Sequence, residues 1–87
     1  MPTSPTVTER FARAMAATPD RTDRAQIAQA RHACAVEARR NREQAAANFH
    51  LADSTTCPAW TLAQASVVRH GQLLDRIAEL DAMAKGQ

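Results

Sequence analysis

Five side chains in this 87-residue chain carry metal-ligating or nucleophilic chemistry: His32, Cys34, His50, Cys57 and His70. A metal site needs three or four such groups converging on one point, and the spacing opposes it. His32 and Cys34 are two apart, which on a helix turns them to different faces. His50 lies 18 residues beyond His32, about 27 Å along a helix. No metal and no cofactor are expected. Cys34 falls on an apolar seam, and Cys57 precedes Pro58 in a loop with no His neighbour, so neither reads as an activated nucleophile. The only glycines are Gly71 and Gly86, too few for a phosphate-cradling loop. The carboxylates Asp75 and Glu79 fall on the outward side of a helix and read as solvated. An enzyme is not expected, because a catalytic pocket is hard to build from so few large side chains.

Arginine offers the other chemistry. "VEARRNREQAAANFH" (36–50) holds Arg39, Arg40 and Arg42. At 100° per residue, Arg24, Arg31 and Arg42 fall within about 20° of one another, with Arg39, His32 and His50 continuing the flank. Arg39 has Glu43 at i+4 and Arg40 has Glu37 at i−3, so both have local partners. Arg31 and Arg42 have none. This one-sided flank reads first as a solvated edge whose stems cover alanines. An acidic protein partner comes second and nucleic acid third. No aromatic residue interleaves to stack on bases, and no zinc finger or helix-turn-helix pair is recognisable.

Composition explains why such a chain looks for a partner. Hydrophobic residues make up 45% of it, but 20 are alanine, and Leu, Ile, Val and Phe total only 13. Alanine favours helix yet buries little area. More buried surface from a second copy or another protein is the simplest remedy. Net charge is +2, too weak to imply nucleic acid by itself. The charge is uneven: eight Arg against five acids over 1–48, and three basic residues against four acids over 49–87. No apolar leader is expected, since Arg10 and Arg13 interrupt "FARAMAA", and no run reaches membrane-spanning length. A soluble, cytoplasmic protein with reduced thiols is the expectation.

The periodicity predicts an all-α fold. Residues 1–5 form a flexible start, and 6–87 a single helical domain with helices over about 6–17, 19–52 and 58–85. Val7, Phe11 and Met15 make one stripe on the first helix. Thr18 as cap and Pro19 at the first turn would open the second. Pro58, or Thr61 with Gln64 in capping-box spacing, opens the third, and Gly86 would close it. In the last helix Ala59, Ala63, Ser66, His70, Leu73, Ile77, Leu80 and Ala84 repeat in a heptad seam. Leu62, Val67, Leu74 and Ala78 widen it, which implies more than one neighbour. The second helix matches with Ile27, Arg31, Cys34, Ala38, Asn41, Ala45, Asn48 and Ala52.

Folding this antiparallel hairpin about 55–56 sets Ala38 near Leu73 and Ile77, Cys34 near Ile77 and Leu80, and Asn41 and Ala45 near His70. Asn41, Asn48 and His70 form a polar seam layer of the kind that fixes register. Gly71 in mid-helix costs about 1 kcal/mol relative to Ala, for which a close helix crossing would compensate. Trp60 reads as a plug at the turn beside Phe49 or Leu51, or else as an exposed anchor. Val36, Leu51, Val68 and Met83 lie off the seams and suggest a second apolar surface, which the first helix and a second subunit would share.

The functional expectation is a non-enzymatic protein–protein interaction module, homodimeric or partner-bound. A small regulator, adaptor or inhibitor fits, of the kind that bacterial and phage accessory genes encode, inhibitors of host defence systems among them. That last step is a class prior without a motif. The alternative is a nucleic-acid-binding helical dimer that pools Arg24, Arg31, Arg39 and Arg42 from two chains.

Overall fold

The computed structural model describes residues 4–86, so the first three residues of the expected flexible start lie outside it; Ser4 and Pro5 precede the first helix. Three helices follow: α1 (Val7–Ala16), α2 (Arg24–Leu51) and α3 (Pro58–Lys85), with no strand among the described residues. α2 and α3 each run 28 residues, about 42 Å.

Each start has a local cause. Thr6 caps α1, its hydroxyl accepting from the Glu9 N–H at 3.1 Å. α2 begins later than the expected residue 19. The Asp20 carboxylate is taken up by Thr22, accepting from its N–H at 2.9 Å and from its hydroxyl at 2.7 Å. That contact holds residues 20–23 in a turn. Asp23 then caps the helix, accepting from the N–H groups of Ala25 and Gln26. Asp is a stronger cap than Thr, so Thr18 and Pro19 stay in the connection. α3 opens at Pro58, whose missing N–H costs nothing at a first helical position. Thr61 and Gln64 therefore sit inside the helix rather than at its cap. Gly86 ends α3 in right-handed conformation, its N–H donating to the Ala82 carbonyl at 3.1 Å.

α2 and α3 are antiparallel. Arg31 meets Asp81, Asn41 meets Arg69, and Phe49 meets Trp60, pairs that close symmetrically on a turn near residue 55. The seam follows the heptad spacing. Ile27, Cys34, Ala38, Asn41 and Ala45 are buried on α2, and Ala63, Ser66, Leu73 and Leu80 on α3. Cys34 and Ala38 share one cluster with Leu73, Leu80 and the half-buried Ile77. Arg31 departs from its seam position, because its side chain swings out to reach Asp81.

α1 covers the open end of the hairpin. Ala14 is buried there, with Phe11, Met15 and Ala17 packed around it. Arg10 of α1 reaches Glu37 at 3.6 Å, and Arg76 donates to the Ala17 carbonyl at 2.9 Å. The half nearer the turn has no third helix, and its buried positions are Ala45, Ala63 and Ser66. The large buried aliphatic side chains, Ile27, Leu73 and Leu80, thus lie in the part that α1 covers.

Candidate interaction surface

Stepping 100° per residue away from the seam sends Glu37 and Arg76 one way around their helices, toward α1. Arg31, Phe49, Trp60 and Asp81 go the other way. The hairpin therefore has one face partly covered by α1 and one that α1 does not touch.

The uncovered face is two edges side by side. Its α2 edge carries Arg24, Arg31 and Arg42, with Ala28 and Ala35 between them and Ala46 beyond. Its α3 edge carries Trp60, Val67, Gly71, Leu74 and Ala78. Their spacing of seven, four, three and four is a second heptad stripe. Val67 is 45% exposed and Leu74 48%. A Cβ built on Gly71 would meet nothing within 4 Å, so the close helix crossing expected there does not occur within the chain. Its cost to the helix stands uncompensated.

The arginine flank is thinner than its spacing suggests. Arg31 Nε donates to Asp81 Oδ1 at 2.6 Å, and this pairing raises the guanidinium pKa. Arg39 pairs with Glu43 at 3.2 Å and Arg40 with Glu37 at 3.6 Å, the two local pairs expected from the spacing. Arg24 and Arg42 make no ion pair among the described residues, and they lie 18 positions apart, about 27 Å. The acid that meets Arg31 comes from the far end of α3, where no i±4 rule could find it.

The polar layer has a different membership from the expected one. Asn41, 1% exposed, donates to the Glu37 carbonyl at 2.8 Å and accepts from Arg69 Nε at 2.7 Å. Arg69 also donates to Ser66 Oγ at 3.1 Å. Asn48 bonds within its own helix, to the Gln44 carbonyl at 3.0 Å. His70 is half-buried and makes no side-chain hydrogen bond among the described residues. The partner of Asn41 is thus Arg69, because the longer guanidinium reaches across from the flank and fills the acceptor. Arg69 and Arg76 were both missed in the sequence. They sit a heptad apart beside the α3 seam, the one available sign that their stems line it.

The off-seam apolar residues divide as their positions dictate. Met83 is half-buried against the α1 cluster. Val36 lies in a groove of about 330 Å³ between α1 and α2, floored by Ala14, Ala17 and Ala33 and rimmed by Arg10, Arg13 and Arg40. Leu51 and Val68 stay exposed, beyond the reach of α1. Trp60 stacks edge-on against Phe49, ring centroids 5.1 Å apart at 71°. It sits as a plug at the turn and is half-buried.

The thiols are separate. Cys34 is fully buried, its Sγ 3.6 Å from the Ala14 carbonyl, while Cys57 sits at the α3 start. Among the described residues no three His, Cys, Asp or Glu side chains converge to hold a metal. No described helix is long and apolar enough to cross a membrane.

Compared with known proteins, the chain matches no family model, no curated protein and no solved structure.

Proposed function

We propose that this chain is a non-enzymatic protein–protein interaction module, a small regulator, adaptor or inhibitor, working through the hairpin face that α1 leaves open. One observation carries the reading. Large aliphatic side chains are more often exposed than buried: Ile27, Leu73 and Leu80 fill the core, whereas Leu51, Leu62, Val67, Val68 and Leu74 face solvent. Scattered surface apolar residues are ordinary, but Val67 and Leu74 repeat on one stripe with Trp60, and contiguous exposed apolar area marks interaction sites. The half-buried Trp60, held by Phe49, is an aromatic of the kind found at binding hot spots.

Nucleic acid is the weaker alternative, since two of the four flank arginines are already engaged by Asp81 and Glu43. The test is co-purification at moderate salt with nuclease present, comparing the wild type with Leu74→Glu and with Arg24→Ala/Arg42→Ala. Loss of partner with Leu74→Glu alone supports the reading. Binding that disappears with nuclease, falls steeply with salt and depends on the arginines contradicts it.

A further inference from the structure

The uncovered α3 stripe has a specific occupant: we propose that it is a second copy of this chain, with two α3 helices crossing antiparallel at Gly71. The inference rests on the reading of this face as an interaction surface and adds what covers it.

A folded chain of 9.5 kDa is expected to expose about 5,000 Å², whereas this one exposes 6083 Å². The excess, about 1,000 Å², is close to the roughly 800 Å² that each partner contributes to a standard interface. The shape agrees. The radius of gyration is 15.1 Å, against about 12 Å for a compact domain of this length. The body is a slab of 49 × 34 × 15 Å, with broad faces rather than a closed core.

Gly71 marks the crossing point. It sits mid-helix with open space around the missing Cβ, flanked on the stripe by Val67 and Leu74. In a two-fold interface each contact is reciprocal, and only a residue on the axis meets its own copy. A glycine on that axis lets two helix backbones approach as closely as they can. Val67 of one copy then packs on Leu74 of the other, twice.

Charge sets the crossing angle. Arg39 and Arg42 stand on α2 at the level of Gly71. Stacking two hairpins with their axes aligned would bring these like charges together. A steep crossing, near −50° as in ridge-into-groove packing, seats α3 on α3 and carries the two α2 edges apart. Residual repulsion between them is screened by salt, so the dimer tightens as salt rises, the opposite of nucleic-acid binding.

The experiment uses the full chain. Sedimentation equilibrium of the wild type gives twice the chain mass, and Leu74→Glu lowers the association constant at least a hundredfold with helicity by circular dichroism unchanged. In a Cys57→Ala background, Gly71→Cys oxidised with diamide forms a covalent dimer, whereas Gln72→Cys, on the back of α3, does not. A wild type that sediments at single-chain mass up to about 1 mM overturns the proposal. So does Gln72→Cys cross-linking as fast as Gly71→Cys. If the wild type is monomeric while Leu74→Glu still abolishes capture of another protein, the dimer falls and the broader reading of the face stands.

Discussion

At the scale of single residues, the part-buried hydrogen bond from Arg69 to Asn41 joins the two long helices at their middle. Asn41 is almost wholly enclosed and its carbonyl oxygen is met only by Arg69 Nε among the described residues. Removing one partner strands the other, which costs about 1–3 kcal/mol. Asn41→Ala and Arg69→Ala are each expected to destabilise by that amount, and the double variant by much less than their sum; chemical denaturation of the four proteins measures the coupling. Cys34 offers a second check. Burial pushes its thiol pKa up, with the weaker influence of Arg76 acting downward. Native protein should therefore be alkylated at Cys57 and at Cys34 only on unfolding. A raised folded-state pKa holds the proton where the unfolded thiol, at about 8.5, releases it. The associated stability is intact below that value and is lost as pH rises through the folded pKa. Cys34→Ala should flatten that alkaline decline in a pH series of thermal melts. Little of this was legible beforehand. Asn41 was marked as a seam residue by its spacing, but its partner was not, because an arginine drawn on a helix flank gives no sign of the direction its long side chain takes.

At the scale of elements, period carried further than capping. The α3 seam came directly from alternating steps of three and four, and the same rule located Ile27, Cys34, Ala38, Asn41 and Ala45 on α2. Both are geometric consequences of 3.6 residues per turn. The start of α2 was not legible in the same way. Thr18, Asp20 and Asp23 are all competent caps, and the choice between them is made by the Asp20–Thr22 contact and by Arg76 holding the Ala17 carbonyl. Asp23→Ala is thus expected to cost about 1 kcal/mol and to fray the first turn of α2, whereas Thr18→Ala should change stability negligibly; amide exchange at Ala25 and Gln26 distinguishes them. Gly71 shows the complementary limit. A close crossing would compensate its mid-helix cost, and the chain by itself supplies none. Only the folded hairpin reveals that the space beside it is open.

At the scale of the whole molecule, the two ends of the hairpin differ in kind. α1 closes one end over Ile27, Leu73 and Leu80, while the turn end rests on Ala45, Ala63, Ser66 and the Phe49–Trp60 pair. Leu73→Ala should cost about 2–5 kcal/mol, a large share of any small domain's stability, and leave the chain largely unfolded by circular dichroism. The second heptad stripe is the face on which the proposed dimer puts the missing burial. If that face is closed by association, the folded state is stabilised by mass action, and its melting temperature depends on protein concentration. The decisive measurement is the thermal midpoint across about a hundredfold range of concentration. The account expects the wild-type midpoint to rise steadily with concentration and that of Leu74→Glu to stay constant at the low value. A wild-type midpoint that does not move, equal to that of Leu74→Glu throughout, would contradict it.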